Sequence, residues 1–199
     1  MTIHQAGIKN QSIADLAELR PIVLEDLASV RFVHASAVKA QVAAVVDDAE
    51  LADMLARIAS PAYGDQLMAS ALTGAWISGQ LVGTAAWSHS DDLGKIARLR
   101  SVFVLPAFGG AGVGGRLVAD AEARAARAGF HTYTVAATHN SVPFFQRHGY
   151  TITSHGVQHV ARDHGVPVTF MRKSVAGAAV SAMQFGAQAG MAGGPVLLH

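Results

Sequence analysis

Apolar residues recur along this chain with two periods. Over 18–23 they fit a first strand. From 25 to about 41 they fall at helical spacing, with Leu27, Val30, Val33 and His34 on one side. Asp47 and Asp48 suit the positive start of a second helix, whose stripe is Leu51, Leu55 and Ile58 and whose stop is Ser60-Pro61. The period then shortens. Strands are predicted over 71–77 and 81–89 around Ser78-Gly79-Gln80, with a turn at Asp91-Asp92-Leu93-Gly94. A strand over 96–105 ends at Pro106 and runs into consecutive glycines. The next helix reaches 128, with Val113, Leu117, Ala121 and Ala125 on one face and Gly129 as its cap. A strand over 130–137, a short helix over 142–147, and strands near 150–154 and 168–173 complete the order β-α-α-β-β-β-α-β-α-β-β.

Short turns between sequential strands imply antiparallel pairing, and strand–helix–strand crossings imply a parallel pair. The expectation is an α/β (α+β) fold: a mixed, mostly antiparallel central sheet of about 6–7 strands with helices on both faces. Residues 1–17 read as an extension, 18–173 as one domain, and 174–199 as an Ala/Gly-rich tail. In that tail Ala178, Ala182, Phe185 and Ala189 are roughly helix-spaced. A helix packed on its own domain or on a second copy in a homodimer is one expectation there; disorder is the other, given five glycines.

Composition narrows the function. The chain has 199 residues, 15% of them charged, and a formal net charge of +1. That balance gives no field for phosphate backbones, so nucleic acid is not an expected partner. There is no cysteine, which removes disulfides, thiol nucleophiles and thiolate metal sites. The first ten residues lack an apolar run after a basic patch, and the tail is too rich in Ala and Gly to read as membrane-spanning. A cytoplasmic protein with no membrane partner is expected.

The informative segment is Val102-Phe103-Val104-Leu105-Pro106-Ala107-Phe108-Gly109-Gly110-Ala111-Gly112-Val113-Gly114-Gly115-Arg116. Five of the seven residues from Gly109 to Gly115 are glycine, where a strand meets a helix start. Helix starts leave unpaired N–H groups, and glycines let the backbone close on an anion. Gly110-x-Gly112-x-x-Gly115 matches the dinucleotide fingerprint in form. That fingerprint wants a carboxylate about 20 positions on, where this chain has Ala136-Ala137-Thr138-His139-Asn140. A Walker loop would need Gly-Lys-Ser/Thr, which is absent.

These residues resemble the GNAT superfamily of N-acyltransferases over about 19–173. Val102-Phe103-Val104-Leu105-Pro106 with Gly110 to Gly115 is similar to its donor-binding block. Asn140-Ser141-Val142-Pro143-Phe144-Phe145-Gln146-Arg147-His148-Gly149-Tyr150 is similar to its second signature. The resemblance implies acetyl-CoA or another acyl-CoA as the donor co-substrate and a small-molecule or protein amine as acceptor; no metal is expected. It implies that the Gly109–Gly115 segment, Ala111 and Val113 included, holds the pyrophosphate. Pantetheine would lie beside Val102, Phe103 and Val104, with the Val104 N–H facing the thioester oxygen. Asn140, Phe144 and Phe145 would contact the pantetheine arm, and Arg116 and Arg147 are candidate phosphate contacts or exposed helix arginines.

Three positions depart from the family pattern. Gly109 replaces an Arg or Gln, Phe145 a tyrosine proton donor, and Arg98 a glutamate base. Histidine is then the natural base near neutral pH, and His34, His89 and His139 are the candidates. A water relay is an alternative. Tyr133 and Tyr150 are proton-donor candidates or core residues. Arg98 and Arg100 point the same way on one strand and would either attract an acidic acceptor or simply be exposed. His155 and His159 would sit about 13 Å apart on a strand, too far to share an ion, and His164 lies in the same region. Two rivals to an acetyltransferase follow: a CoA-binding module without catalysis, and an NAD(P)-binding oxidoreductase.

Overall fold

The structure, a computed structural model, describes residues 12–42, 46–90, 96–159 and 165–175. Residues 1–11, the expected turn at 91–94, His164 and the tail from 176 onward lie outside them. One seven-stranded sheet is formed by β1 (Glu18–Pro21), β2 (Thr73–Ile77), β3 (Gln80–His89), β4 (Ile96–Val104), β5 (Thr132–Ala137), β6 (Thr151–His159) and β7 (Gly165–Ser174). The spatial order is β1-β2-β3-β4-β5-β7-β6. Among the described residues, only the β4–β5 pair is parallel. The crossover between them runs through α4 (Val113–Arg127). This is the mixed architecture that the pattern predicts.

Helices α1 (Leu27–Val42), α2 (Asp48–Ala59) and α3 (Pro61–Met68) separate β1 from β2, and α5 (Val142–Arg147) follows β5. Residues 81–86 of β3 are all buried, so both faces of the sheet are covered there. One apolar cluster sets Leu117, Val118, Ala121 and Ala125 of α4 against Ala85, Ala97 and Leu99. The other sets Val30 and Val33 of α1 with Leu67, Leu81 and Leu105. Alanines at 121 and 125 let α4 lie close on the strands.

Two expectations are corrected. Ser60-Pro61 ends α2 but also starts α3, because the Ser60 hydroxyl accepts from the Tyr63 N–H and Pro61 occupies the first turn. The β6–β7 hairpin is longer than its apolar residues suggest, pairing from Thr151↔Arg172 out to His159↔Gly165. In the N-terminal segment, Ile13–Leu16 form a 3-10 turn with Ala14 and Ala17 buried on the domain. Among the described residues, no helix is long and apolar enough to cross a membrane.

Candidate functional site

β4 and β5 pair over only three positions, Ile96↔Thr132, Ala97↔Tyr133 and Arg98↔Thr134. β4 then stays with β3 as far as Val104↔Gly83, while β5 stays with β7 as far as Ala137↔Thr169. The two strands therefore part into a wedge. A cleft of about 830 Å³ occupies it, bordered by Leu99 to Phe103 on one side and Val135 to Thr138 on the other. Phe145, and Met54, Ile58 and Tyr63 from α2 and α3, also line it.

β4 carries a bulge inside this wedge. The register passes from Ala86↔Arg100 to Thr84↔Phe103, so Ala85 alone faces Ser101 and Val102. Ser101 takes φ +52, a left-handed conformation that L side chains rarely adopt. The Leu105 N–H donates to Val82 O on β3. Successive strand N–H groups alternate in direction, so the Val104 N–H faces the wedge.

Past β4 the chain makes a 3-10 turn, Pro106–Phe108, and enters the glycines. Gly110 has φ +75, and Gly112, the helix N-cap, has φ +85. The first α4 bond shown at this end runs from Arg116 N to Gly112 O. It leaves the N–H groups of Val113, Gly114 and Gly115 without helical partners at the positive end. Gly114 and Gly115 also answer to packing. A Cβ at Gly115 would lie 2.8 Å from His148 Nε2, and one at Gly114 would lie 3.3 Å from the Phe144 ring. Glycine there lets α4 start against α5.

The second block adjoins the same wedge. Asn140 Nδ2 donates to Gln41 O at 3.2 Å, tying the turn after β5 to the end of α1. Phe144 is half-buried beside Gly114, Phe145 is buried at the cleft, and Arg147 is exposed on α5. Arg116 donates through Nη1 to the carbonyls of Ala14 and Ala17. Its guanidinium thus holds the N-terminal turn, a role that only the fold reveals.

The histidines separate. His34 is not a base facing the cleft: it is fully buried, with Nδ1 2.8 Å from the Tyr63 hydroxyl and Nε2 2.8 Å from Thr84 Oγ1. Burial pushes its pKa down to about 3. His89 is exposed and borders the cleft, its ring against Trp87 and Phe130. His139 is exposed, and its neighbours Thr138 and Ser141 line the cleft. Both tyrosines are spent on the fold. Tyr133 donates to Phe130 O, and Tyr150 donates to Glu122 Oε1 at 2.9 Å, with Lys173 Nζ 2.6 Å from Glu122 Oε2. Burial and then the Glu122 charge push the Tyr150 pKa well up. His155 and His159 lie on β6, with His155 Nδ1 3.2 Å from Thr169 Oγ1. Among the described residues, no three His, Cys, Asp or Glu side chains gather to hold a metal ion.

Tyr63, Thr84 and Ser101 belong to the site and were not singled out by the sequence. The lone signal for Tyr63 is its helical spacing to Leu67, and Gly64 obscures it.

Comparison with known proteins agrees with this geometry. The family model described as an acetyltransferase (GNAT) domain matches residues 39–175. The chain belongs to the GNAT acetyltransferase family. It is 34% identical over 92 residues to the uncharacterized N-acetyltransferase YjcF of Bacillus subtilis, a match spanning 46% of this chain and 61% of that protein. A GCN5-related N-acetyltransferase structure from Rhodopseudomonas palustris superposes with a TM-score of 0.71 at 21% identity, covering 83% of this chain and 99% of that one. The PaiA N-acetyltransferase of Thermoplasma acidophilum, solved with coenzyme A, gives 0.68 at 15% identity, covering 80% and 99%.

Proposed function

We propose that this protein transfers an acetyl group from acetyl-CoA to a primary amine of a small molecule or protein, by direct attack in a ternary complex. The observation that carries this reading is the wedge between β4 and β5, opening beside a glycine-rich helix start. The N–H groups of Val113, Gly114 and Gly115 offer donors for a pyrophosphate, and the wedge offers an extended slot for the pantetheine arm. The PaiA relative was solved with coenzyme A, which supports CoA as the ligand here.

The Val104 N–H faces the wedge and would stabilise the oxygen that gains charge as the amine attacks, an effect of about 3 kcal/mol. The new C–N bond forms, the C–S bond breaks, and the thiol departs as thiolate. Phe145 donates no proton, and a thiol pKa near 8.5, by analogy with cysteine, makes such departure tolerable. The ammonium proton passes to water or to an imidazole at the cleft border. His89 and His139 remain in that role, and His34 does not.

The test is thiol release from acetyl-CoA against a panel of amines, beside calorimetry with CoA. Release that depends on both amine and protein supports the transferase. The second reading, a CoA-binding module without catalysis, draws on Phe145, Arg98 and Gly109, which stand where the family pattern has a proton donor, a base and a loop-opening Arg or Gln. Tight CoA binding with no turnover on any amine would favour it.

A further inference from the structure

The cleft is charged on one side only. Arg57, Arg98 and Arg100 line it, and its described lining includes no Asp or Glu. Arginines that hold the fold are paired: Arg20 with Asp26, Arg124 with Asp120. Among the described residues, neither Arg98 nor Arg100 has an ion-pair or hydrogen-bond partner. They lie two positions apart on β4 with side chains on one face, separated by about 7 Å.

Arg98 also sits in a row of unpaired groups. It lies opposite Ser88 on β3 and Thr134 on β5. Residues directly opposite share a face of the sheet. The Ser88 and Thr134 hydroxyl oxygens are both buried without a hydrogen-bond partner. A buried polar group left unpaired is costly, so two hydroxyls beside an unpaired guanidinium call for an acceptor of several hydrogen bonds. A carboxylate or phosphate is that acceptor. Burial, and then the charge of Arg98, lower the pKa of Arg100, a burden that a bound anion would lift.

The place of the row separates this anion from those of the donor. The glycine segment follows the C-terminal end of β4. Arg100 and Arg98 face Ala86 and Ser88, three and five ladder positions from the Val104↔Gly83 pair, about 10 and 17 Å back along the sheet. The anion therefore belongs on the acceptor side of the bulge.

We propose that the acceptor is a primary amine carrying a carboxylate or phosphate at the far end of an extended chain, and that Arg98 and Arg100, with the Ser88 and Thr134 hydroxyls, hold that anion. This rests on the acetyltransferase reading for the word acceptor, but the anion site stands on the row itself.

The experiment uses matched probes: 6-aminohexanoate, 8-aminooctanoate and 12-aminododecanoate against the alkylamines lacking the carboxylate, and 6-aminohexyl phosphate against 6-aminohexanol. The CoA-saturated protein is titrated with each by calorimetry, and acetylation of each from acetyl-CoA is followed in parallel. The expected result is about tenfold or tighter binding of at least one anionic member over its neutral partner, the scale of a charge-assisted hydrogen bond. Which arm wins tells carboxylate from phosphate, and the best chain length reads the spacing. The double variant Arg98→Gln, Arg100→Gln is expected to erase the preference while CoA affinity, the control for folding, stays unchanged. Equal or tighter binding of the neutral amines, no binding of any anionic probe, or a preference that survives the double variant overturns the proposal. Anion-selective binding without acetyl transfer would sink the transferase reading and leave the anion site standing.

Discussion

His34 Nε2 and Thr84 Oγ1 lie 2.8 Å apart where α1 crosses β3. Thr84 spends its hydroxyl proton on Ser101 O at 2.7 Å, so Nε2 carries the proton shared with Thr84. The Nδ1 lone pair then accepts from the Tyr63 hydroxyl at 2.8 Å. A single directed chain thus runs from the cleft wall at Tyr63 to the bulge on β4. Thr84→Val keeps the shape and removes both ends of that exchange. It should cost about 2–3 kcal/mol by urea denaturation, since a buried N–H and a carbonyl lose partners.

The same histidine sets a pH dependence. Its pKa is about 3 in the fold, against an ordinary 6.5. Below 6.5 the unfolded chain takes up a proton that the folded chain refuses, so stability falls as pH drops from 6.5 towards 3. The loss should reach the order of a few kcal/mol. His34→Gln can still accept from Tyr63 and donate to Thr84 but does not titrate. Its urea midpoint should fall less steeply over that window, and an equal slope would refute the assignment.

Two left-handed glycines mark the two ends of α4. Gly112→Asp brings a carboxylate to the helix start and should abolish CoA binding in calorimetry. Gly129, at φ +92 with open space around it, lies at the far end. Gly129→Ala should cost about 1 kcal/mol of stability and leave CoA affinity intact.

Arg116 discriminates between two roles. Its bonds to Ala14 O and Ala17 O predict that Arg116→Met speeds amide exchange over 12–17 and changes CoA affinity little. A drop in CoA affinity of tenfold or so, worth about 1.4 kcal/mol, would make it a phosphate contact instead.

Ser101 holds the bulge at φ +52. A β-branched side chain fits that conformation poorly, so Ser101→Val should lose about 1–3 kcal/mol in thermal or urea unfolding. Ser101→Gly should remain within about 1 kcal/mol of the parent.

What the sequence disclosed depended on distance along the chain. The α1 stripe, the Asp47 cap and the glycine segment are local patterns, and each stands where it was read. α3 was hidden because Gly64 reads as a breaker. In the fold a Cβ there would come within 3.0 Å of Arg31 Nη2 and Leu27 Cδ2, so the glycine permits a close helix contact. His34 looked like a base because its partners are 29 and 50 residues away. Arg116 looked free for phosphate because its carbonyls lie 102 and 99 residues back. Local spacing exposes backbone devices; it cannot show which distant group already holds a side chain.

The early parting of β4 and β5 has a mechanical consequence. β1 to β4 form one paddle and β5, β7 and β6 another, joined across the sheet by three register positions. Between them lies a pair of raw strand edges, of the kind that elsewhere recruits foreign chains. Here those edges lie in the middle of the sheet, where a second protein's strand meets the flanking helices. On the proposed reading, a donor seated there would act as a removable strand, bridging the two paddles for as long as it stays.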